Sequence, residues 1–107
     1  MKVGIIGHGF VGKALQNAFT DDVFVSIADP KIGRSIADLI DDNPSMIFVC
    51  VPTPMSEDGS QNIEIVKSVF NEISISDIEV PVILKSTVLP NHLDELHQQY
   101  KNFVYNP

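Results

Sequence analysis

Residues 1–12 read MKVGIIGHGFVG. The apolar run Lys2–Ile6 predicts a short buried strand, and the six residues after it have the spacing G-x-G-x-x-G. This spacing, between a strand and a helical pattern, is the fingerprint of a dinucleotide-binding turn. Gly7 permits a tight turn, Gly9 lets backbone N–H groups approach a pyrophosphate, and Gly12 lets the helix pack on the sheet. The predicted pyrophosphate site consists of Gly7, His8, Gly9, Phe10, Val11 and Gly12.

The bulk composition narrows the class of protein. The chain has 107 residues, 44% hydrophobic residues and a formal net charge of −7. This size fits one domain, 1–107, and the acidic charge argues against a nucleic-acid partner. The sequence contains no long apolar run, and a strand follows Met1 directly, so we expect a cytoplasmic protein that does not contact a membrane. Cys50 is the single cysteine, which leaves no disulfide framework or cysteine metal cluster, and we predict no metal site.

Strand-like runs alternate with helical patterns along the chain. The predicted strands are Lys2–Ile6, Val23–Ala28, Met46–Val51, Val80–Leu84 and Phe103–Tyr105. The continuous apolar run of the third strand predicts burial on both of its faces. The predicted helices are Val11–Phe19, Ile36–Ile40 with Ser35 as its N-cap, Ile63–Ile75 and His92–Tyr100. Helical spacing puts apolar residues on one face of the first and of the third helix, namely Val11, Leu15, Ala18 and Phe19, and Ile63, Val66, Val69, Phe70 and Ile73. This alternation predicts an α/β, Rossmann-like three-layer sandwich with a parallel sheet. Because one strand is missing between Ala28 and Met46, we expect a shortened five-stranded sheet of order 2-1-3-4-5, with a ligand crevice where the order reverses.

Asp29 ends the second predicted strand, close to the usual position of a ribose-binding carboxylate. A carboxylate there accepts from ribose hydroxyls and repels a 2′-phosphate, which favours NAD over NADP as the cofactor. Lys31 and Arg34 follow closely, and a cation near the ribose could instead accommodate the extra phosphate. The alternatives are that Asp29 is an ordinary solvated residue before Pro30 and that Arg34 is a surface charge.

Three later segments carry a family resemblance: residues 48–54 read FVCVPTP, residues 85–90 read KSTVLP and residues 105–107 read YNP. Together with the glycine turn, in this order, they resemble the N-terminal NAD-binding domain of the UDP-glucose/GDP-mannose dehydrogenase family. The resemblance covers essentially the whole chain, with the shortened stretch 29–46 as its main departure. It implies an NAD-dependent oxidoreductase that converts a sugar C6 alcohol to a carboxylate with two NAD in succession, and a role in polysaccharide biosynthesis.

The resemblance also implies residue roles. Residues 7–12 would hold the pyrophosphate, and Asp29 with Arg34 would attend the adenosine ribose. Two loops at the carboxyl ends of neighbouring strands would contact the cofactor, namely Val51, Pro52, Thr53 and Pro54 after the third strand and Ser86, Thr87 and Val88 after the fourth. Thr87 matches a threonine that helps to position catalytic water. The alternative is that the first loop is a plain strand exit and that Thr87 or a neighbour caps the next helix.

The family's other catalytic groups do not occur in these 107 residues. A glutamate follows Tyr-Asn-Pro in the family, and a nucleophilic cysteine and a lysine come later still. Cys50 lies in an apolar run, where we expect an inert thiol with a raised pKa. We therefore expect an N-terminal part of a longer enzyme that is inactive alone. Its partner would be a nucleotide-sugar substrate, and a homo-oligomer would form through elements absent here.

Two other functions are compatible with parts of the sequence. One is the cofactor domain of a 3-hydroxyacid dehydrogenase, against which the V-P-T-P and K-S-T-V segments argue. The other is a stand-alone NAD-sensing or regulatory module. His8 adds a further question, because the family more often has an apolar or small residue there. It is either a solvent-facing side chain or an imidazole near the phosphates whose protonation tightens binding at low pH. His92 and His97 are expected to be surface residues.

Overall fold

The computed structural model describes residues 1–100 and 102–107. Its strands are β1 (Lys2–Ile6), β2 (Phe24–Ala28), β3 (Met46–Val49), β4 (Val82–Leu84) and β5 (Phe103–Tyr105). Its helices are α1 (Phe10–Ala18), α2 (Ile36–Asp41), α3 (Glu64–Ile75) and α4 (Pro90–Gln99), with a short 3-10 turn at Pro30–Ile32. The strands pair in parallel in the order β2-β1-β3-β4-β5, which confirms the predicted fold class and strand order.

The largest differences between the predicted and observed element boundaries, of two residues, all lie near prolines. β4 begins at Val82 rather than Val80, because Pro81 has no N–H to give to the ladder. α4 begins at Pro90 rather than His92, since proline suits the first turn of a helix. The 3-10 turn was not predicted, and it begins at Pro30 and ends on Gly33 at φ 69°. β3 ends at Val49, two residues earlier than predicted, before the loop that contains Pro52.

The main core lies between the sheet and helices α2, α3 and α4. Parallel pairing puts Ile6, Val49 and Leu84 on one face of the sheet, where each is almost fully buried. The predicted apolar face of α3 is confirmed, and the buried residues of this helix are Val66, Val69, Phe70 and Ile73. Leu39 of α2 and Leu96 of α4 complete the same cluster. This layer fixes the positions of the carboxyl ends of β1, β3 and β4.

Helix α1 packs on the opposite face, so the domain has three layers. Phe19 contacts Phe48 with ring centroids 6.0 Å apart, and Gly12 approaches Ile5 of β1. This side is thinly covered. Phe48 is only half-buried, which corrects the expectation that β3 is buried on both faces, and Val104 of β5 is 60% exposed.

The shortened stretch between β2 and β3 is held by polar and apolar contacts. Ser35 is confirmed as the N-cap of α2 and forms a reciprocal capping box with Asp38. Leu39 is fully buried against Gly4, where a Cβ atom would lie 2.8 Å from Leu39 Cδ2. Gly4 therefore leaves room for the short α2 to lie close to the sheet. In the described parts of the chain, no helix is both long and apolar enough to cross a membrane.

Candidate functional site

A cleft of about 990 Å³ lies at the carboxyl ends of β1, β2, β3 and β4. It is centred on the point where the strand order reverses, between β1 and β3. Most of the sequence-predicted site residues line it, namely Gly7, His8, Gly9, Phe10, Val11, Asp29, Arg34, Val51, Pro52, Thr53, Ser86 and Thr87. Gly12, Pro54 and Val88 do not line the cleft. The fold thus brings segments of the sequence up to 80 residues apart (7 to 87) to one surface.

The three glycines of the turn have separate tasks. Gly7 has φ 98°, and a Cβ there would lie 2.5 Å from the Cys50 carbonyl oxygen. At Gly12 a Cβ would collide with the Gly7 carbonyl oxygen. Gly9 differs from both, because a Cβ there would meet no atom of residues 1–100 and 102–107 within 4 Å. Gly7 and Gly12 are therefore required by the packing of the turn, whereas Gly9 keeps open the space in front of it.

Helix α1 begins at this open space. Gly9 is its N-cap, makes no side-chain capping bond, and accepts the first helical hydrogen bond from Lys13 at 2.9 Å. The first N–H groups of the helix therefore have no intrahelical acceptor, and the first turn holds no acidic side chain. Unpaired donors and the positive end of the helix dipole favour a phosphate at this position. The cradle left by Gly9 thus fits the pyrophosphate of a dinucleotide.

Asp29 joins the glycine turn to the turn after β2. Its Oδ2 accepts from the backbone N–H of His8 at 2.7 Å, and its Oδ1 accepts from the backbone N–H of Lys31 at 2.8 Å. These two hydrogen bonds hold the pKa of the Asp29 carboxyl below its ordinary value. The carboxylate is therefore ionised at neutral pH and held in a fixed orientation at the edge of the cleft.

Arg34 lines the cleft, but its guanidinium is engaged by protein groups. Its Nη2 donates to Asp42 Oδ2 at 2.6 Å and to Ser26 Oγ at 3.0 Å, and its Nε donates to the Ile27 carbonyl at 3.3 Å. The Ser26 hydroxyl and the Arg34 guanidinium hold the pKa of Asp42 below its ordinary value. The sequence did not reveal this network, because Ser26 and Asp42 are ordinary polar residues 16 positions apart.

His8 is half-buried at the edge of the cleft. Its Nε2 lies 2.8 Å from Oε1 of Gln16, one of the residues of α1. The contact joins the imidazole to the side-chain amide of a residue in the second turn of α1. The imidazole therefore braces the glycine turn against α1, which the sequence did not indicate.

The two loops after β3 and β4 are joined by side-chain hydrogen bonds. The Ser86 hydroxyl is buried and donates to the Val51 carbonyl at 2.7 Å, and the Thr53 hydroxyl donates to the Thr87 carbonyl at 3.0 Å. Thr87 is exposed on the cleft, whereas Val88 points into the core. The idea that Thr87 caps α4 is wrong, because the N-cap is Leu89 and no side-chain bond is made there.

Cys50 follows β3 and lines the floor of the cleft. It is half-buried, and this burial raises the pKa of its thiol to about 11. The predicted rise is confirmed. At neutral pH the group is a protonated thiol and not a nucleophile.

One wall of the cleft was missed by the sequence interpretation. It is formed by exposed residues of α3 that alternate with its core residues and by residues of the shortened stretch, namely Glu64, Ile65, Ser68, Glu72, Ser35 and Ile36. Lys31 and Lys85 also line the cleft. Helical periodicity identified the buried face of α3 but gave no sign that its other side borders a ligand cleft.

The parallel sheet, the glycine turn and the cleft at the switch point define a dinucleotide-binding domain of the Rossmann type. Residues 37–104 match the UDP-glucose/GDP-mannose dehydrogenase family, NAD binding domain. The chain belongs to this family, and its cofactor is NAD. No curated protein matches the chain.

A solved structure has the same fold. It is the 1.55 Å crystal structure of a ternary complex of GDP-mannose dehydrogenase from Pseudomonas aeruginosa, with a TM-score of 0.65 and 18% sequence identity. The similarity covers 98% of this chain and 35% of that protein. The chain therefore spans about a third of the length of that dehydrogenase.

Proposed function

We propose that residues 1–107 are the NAD-binding domain of a longer nucleotide-sugar 6-dehydrogenase, an enzyme that oxidises a sugar C6 alcohol to a carboxylate for polysaccharide biosynthesis. The observation that carries this proposal is the convergence of the glycine turn, Asp29 and the loop of Thr87 on one cleft. Family membership supports the same reaction class. The nucleotide-sugar substrate, the cytoplasmic location and assembly through elements outside these residues belong to the proposal as well.

Each part of the cleft has a role in this proposal. The N–H groups at the start of α1 hold the pyrophosphate over Gly9, and the Asp29 carboxylate accepts from the adenosine ribose. The loops of Thr53 and Ser86 border the nicotinamide end, where the hydroxyl of Thr87 holds a water molecule. Bound NAD supplies the hydride acceptor for the oxidation.

The catalytic part of the reaction is assigned to other parts of the enzyme. Conversion of an aldehyde to a carboxylate in this family uses a cysteine nucleophile, which must be a thiolate to react. Cys50 is the single cysteine here, and its thiol pKa of about 11 keeps it protonated. The chain by itself is therefore proposed to bind cofactor without oxidising substrate.

Selectivity for NAD over NADP follows from the charges around the ribose. Asp29 is ionised and would repel a 2′-phosphate, as in other NAD-binding sites of this type. Lys31 and Arg34 line the cleft and are the cations that could compensate, but Asp42 accepts from Arg34 at 2.6 Å. Using Arg34 for a phosphate would break that ion pair.

Calorimetric titration of the 107-residue chain tests the proposal. NAD and ADP-ribose should bind, and NADP should bind at least about ten-fold more weakly than NAD. Incubation with NAD and either UDP-glucose or GDP-mannose should give no NADH absorbance. Equal affinity for NAD and NADP would refute the assigned selectivity, and NADH formation by the chain alone would refute its catalytic incompleteness.

A further inference from the structure

Gln61 bonds to the β4–α4 loop through both ends of its side-chain amide. Its Nε2 donates to the Thr87 carbonyl at 2.9 Å, and its Oε1 accepts from the backbone N–H of Leu89 at 2.9 Å. Gln61 belongs to the loop before α3, 26 residues from Thr87 in the sequence. One side chain thus pairs with the Thr87 carbonyl and with the Leu89 N–H, two backbone groups of a loop that lies outside the β-strands.

The backbone of Gln61 is itself well anchored. It pairs with Met55 in an isolated antiparallel bridge, and the next residue, Asn62, donates its N–H to the Pro54 carbonyl at 2.7 Å. Ile63 follows and is buried in the core. The loop of residues 54–62 is therefore folded back on itself, and Gln61 extends from a fixed position.

The other side of the β4–α4 loop is held by Tyr105. The hydroxyl of Tyr105 accepts from the N–H of Val88 at 3.0 Å and donates to the Val88 carbonyl at 3.2 Å. Thr53 adds a second donor to the Thr87 carbonyl. Residues 87–89 are consequently fixed from two directions, while Thr87 lies exposed on the cleft.

We propose that Gln61 is a positioning residue for the nicotinamide end of the cofactor site. It does not line the cleft and so acts through the loop that it holds. Its amide sets the orientation of residues 87–89 and thereby presents Thr87 to the ligand. This inference rests on the proposed function, because that function places the nicotinamide beside Thr87.

Two variants of Gln61 separate the contributions of its two side-chain hydrogen bonds. Gln61→Ala removes both hydrogen bonds, whereas Gln61→Glu keeps an acceptor for Leu89 and replaces the donor to Thr87 with a repelling oxygen. Gln98→Ala is the matched control, because Gln98 is an exposed glutamine on α4. Binding of NAD and of ADP-ribose is measured by calorimetry, and exchange of the Leu89 amide by NMR. ADP-ribose lacks the nicotinamide and reports on the rest of the site.

Gln61→Ala should weaken NAD binding by about five- to ten-fold and leave ADP-ribose binding unchanged, since loss of two hydrogen bonds loosens only one end of the site. The Leu89 amide should exchange faster in Gln61→Ala and remain closer to the parent rate in Gln61→Glu. Gln98→Ala should match the parent chain in every measurement.

The outcomes distinguish the two proposals. If the parent chain binds neither NAD nor ADP-ribose, the proposed function fails and the positioning role fails with it. If the parent chain binds both, and the Gln61 variants weaken both ligands equally or neither, the positioning role alone is overturned. A merely structural role would lower both affinities together, so the ratio of the NAD and ADP-ribose affinities decides.

Discussion

Gly9 and Gly12 lie three positions apart in one turn, yet their substitution should affect different properties. Gly9 has φ −89°, which any residue adopts, and open space around its Cβ position. Gly9→Ala should leave the free energy of unfolding within about 0.5 kcal/mol of the parent value. Its new methyl group would occupy the phosphate cradle and lower the NAD affinity by about ten-fold or more.

Gly12→Ala should behave in the opposite way. The added Cβ collides with the Gly7 carbonyl, so α1 must shift, and overpacking of this kind costs about 1–3 kcal/mol of stability. Thermal unfolding and calorimetric titration of both variants check the pair of predictions. Parent-like NAD binding by Gly9→Ala would contradict the placement of the pyrophosphate.

Asp29→Asn should lower NAD affinity by about ten-fold, because a neutral amide is a weaker acceptor for ribose hydroxyls and no longer holds both backbone N–H groups. Asp58→Asn is the matched control. Asp58 also accepts from a backbone N–H and has a lowered pKa, but it lies outside the cleft. Calorimetry with NAD should show a loss for the first variant alone, and equal affinities would remove Asp29 from the site.

Asp42→Ala should raise the affinity for NADP relative to NAD. Without Asp42 the Arg34 guanidinium loses its shortest hydrogen bond and becomes available to a 2′-phosphate. Asp41→Ala removes an exposed carboxylate from the neighbouring position and serves as the control. The ratio of the two dissociation constants, measured for each variant, is the readout. An unchanged ratio would show that Arg34 does not take part in cofactor selection.

Helix α2 is the short element that replaces the usual longer crossover, and Leu39 is its fully buried anchor. Leu39→Ala should destabilise the domain by about 2–5 kcal/mol, because it leaves a cavity over Gly4. Ile75 is 75% exposed at the end of α3, so Ile75→Ala should change stability by less than about 0.5 kcal/mol. Urea unfolding of both variants tests the contrast, and equal midpoints would show that α2 contributes little to the core.

Most helices and strands could be predicted from the sequence, because the periodicity of apolar residues is a local property of the chain. The pattern of α3 predicted its buried face, and the five strands were placed in the correct order. The face of α1 was predicted less well. Val11 is 48% exposed although the spacing grouped it with Leu15 and Phe19, because it lies in the first turn of α1 and lines the cleft.

The residues that line the candidate site could be predicted only where they belong to a sequence motif. The glycine turn, Asp29 and Thr87 have fixed positions relative to strands, and the fold brings them to one cleft. Gln61, Tyr105 and Asp42 could not be predicted, since each acts through a contact with a segment 8 to 28 residues away that no local pattern encodes. Residues that contact a ligand directly belong to recognisable sequence motifs, whereas residues that hold those contact residues in place usually do not.

We expect the stability of the whole domain to fall in acid, because several of its carboxylates are hydrogen-bonded in the folded state. The pKa values of Asp29, Asp38, Asp42 and Glu95 are lowered by hydrogen bonds to N–H and hydroxyl groups or to cations. The folded chain therefore binds fewer protons than the unfolded chain between the lowered and the ordinary values. This contribution to stability is complete above about pH 5 and is lost as the pH falls below about 4.

Thermal unfolding at a series of pH values checks this prediction. The midpoint temperature should fall between about pH 4 and pH 2.5, and the fall should be smaller in a double variant Asp29→Asn, Asp42→Asn. A midpoint that rises over this interval would contradict the direction of the pKa shifts.

The Asp29 carboxylate combines a structural role with its proposed ligand-binding role, and this combination restricts which substitutions the position can tolerate. The carboxylate that we propose for the ribose also supports the main chain, because its Oδ2 accepts from the N–H of His8 in the glycine turn and its Oδ1 accepts from the N–H of Lys31. Loss of the acidic group, which would remove the repulsion of a 2′-phosphate, would here also remove the acceptor that holds the His8 N–H of the glycine turn. Another acceptor for the His8 N–H must therefore be present before Asp29 can be replaced. We expect this requirement to preserve a preference for NAD over NADP.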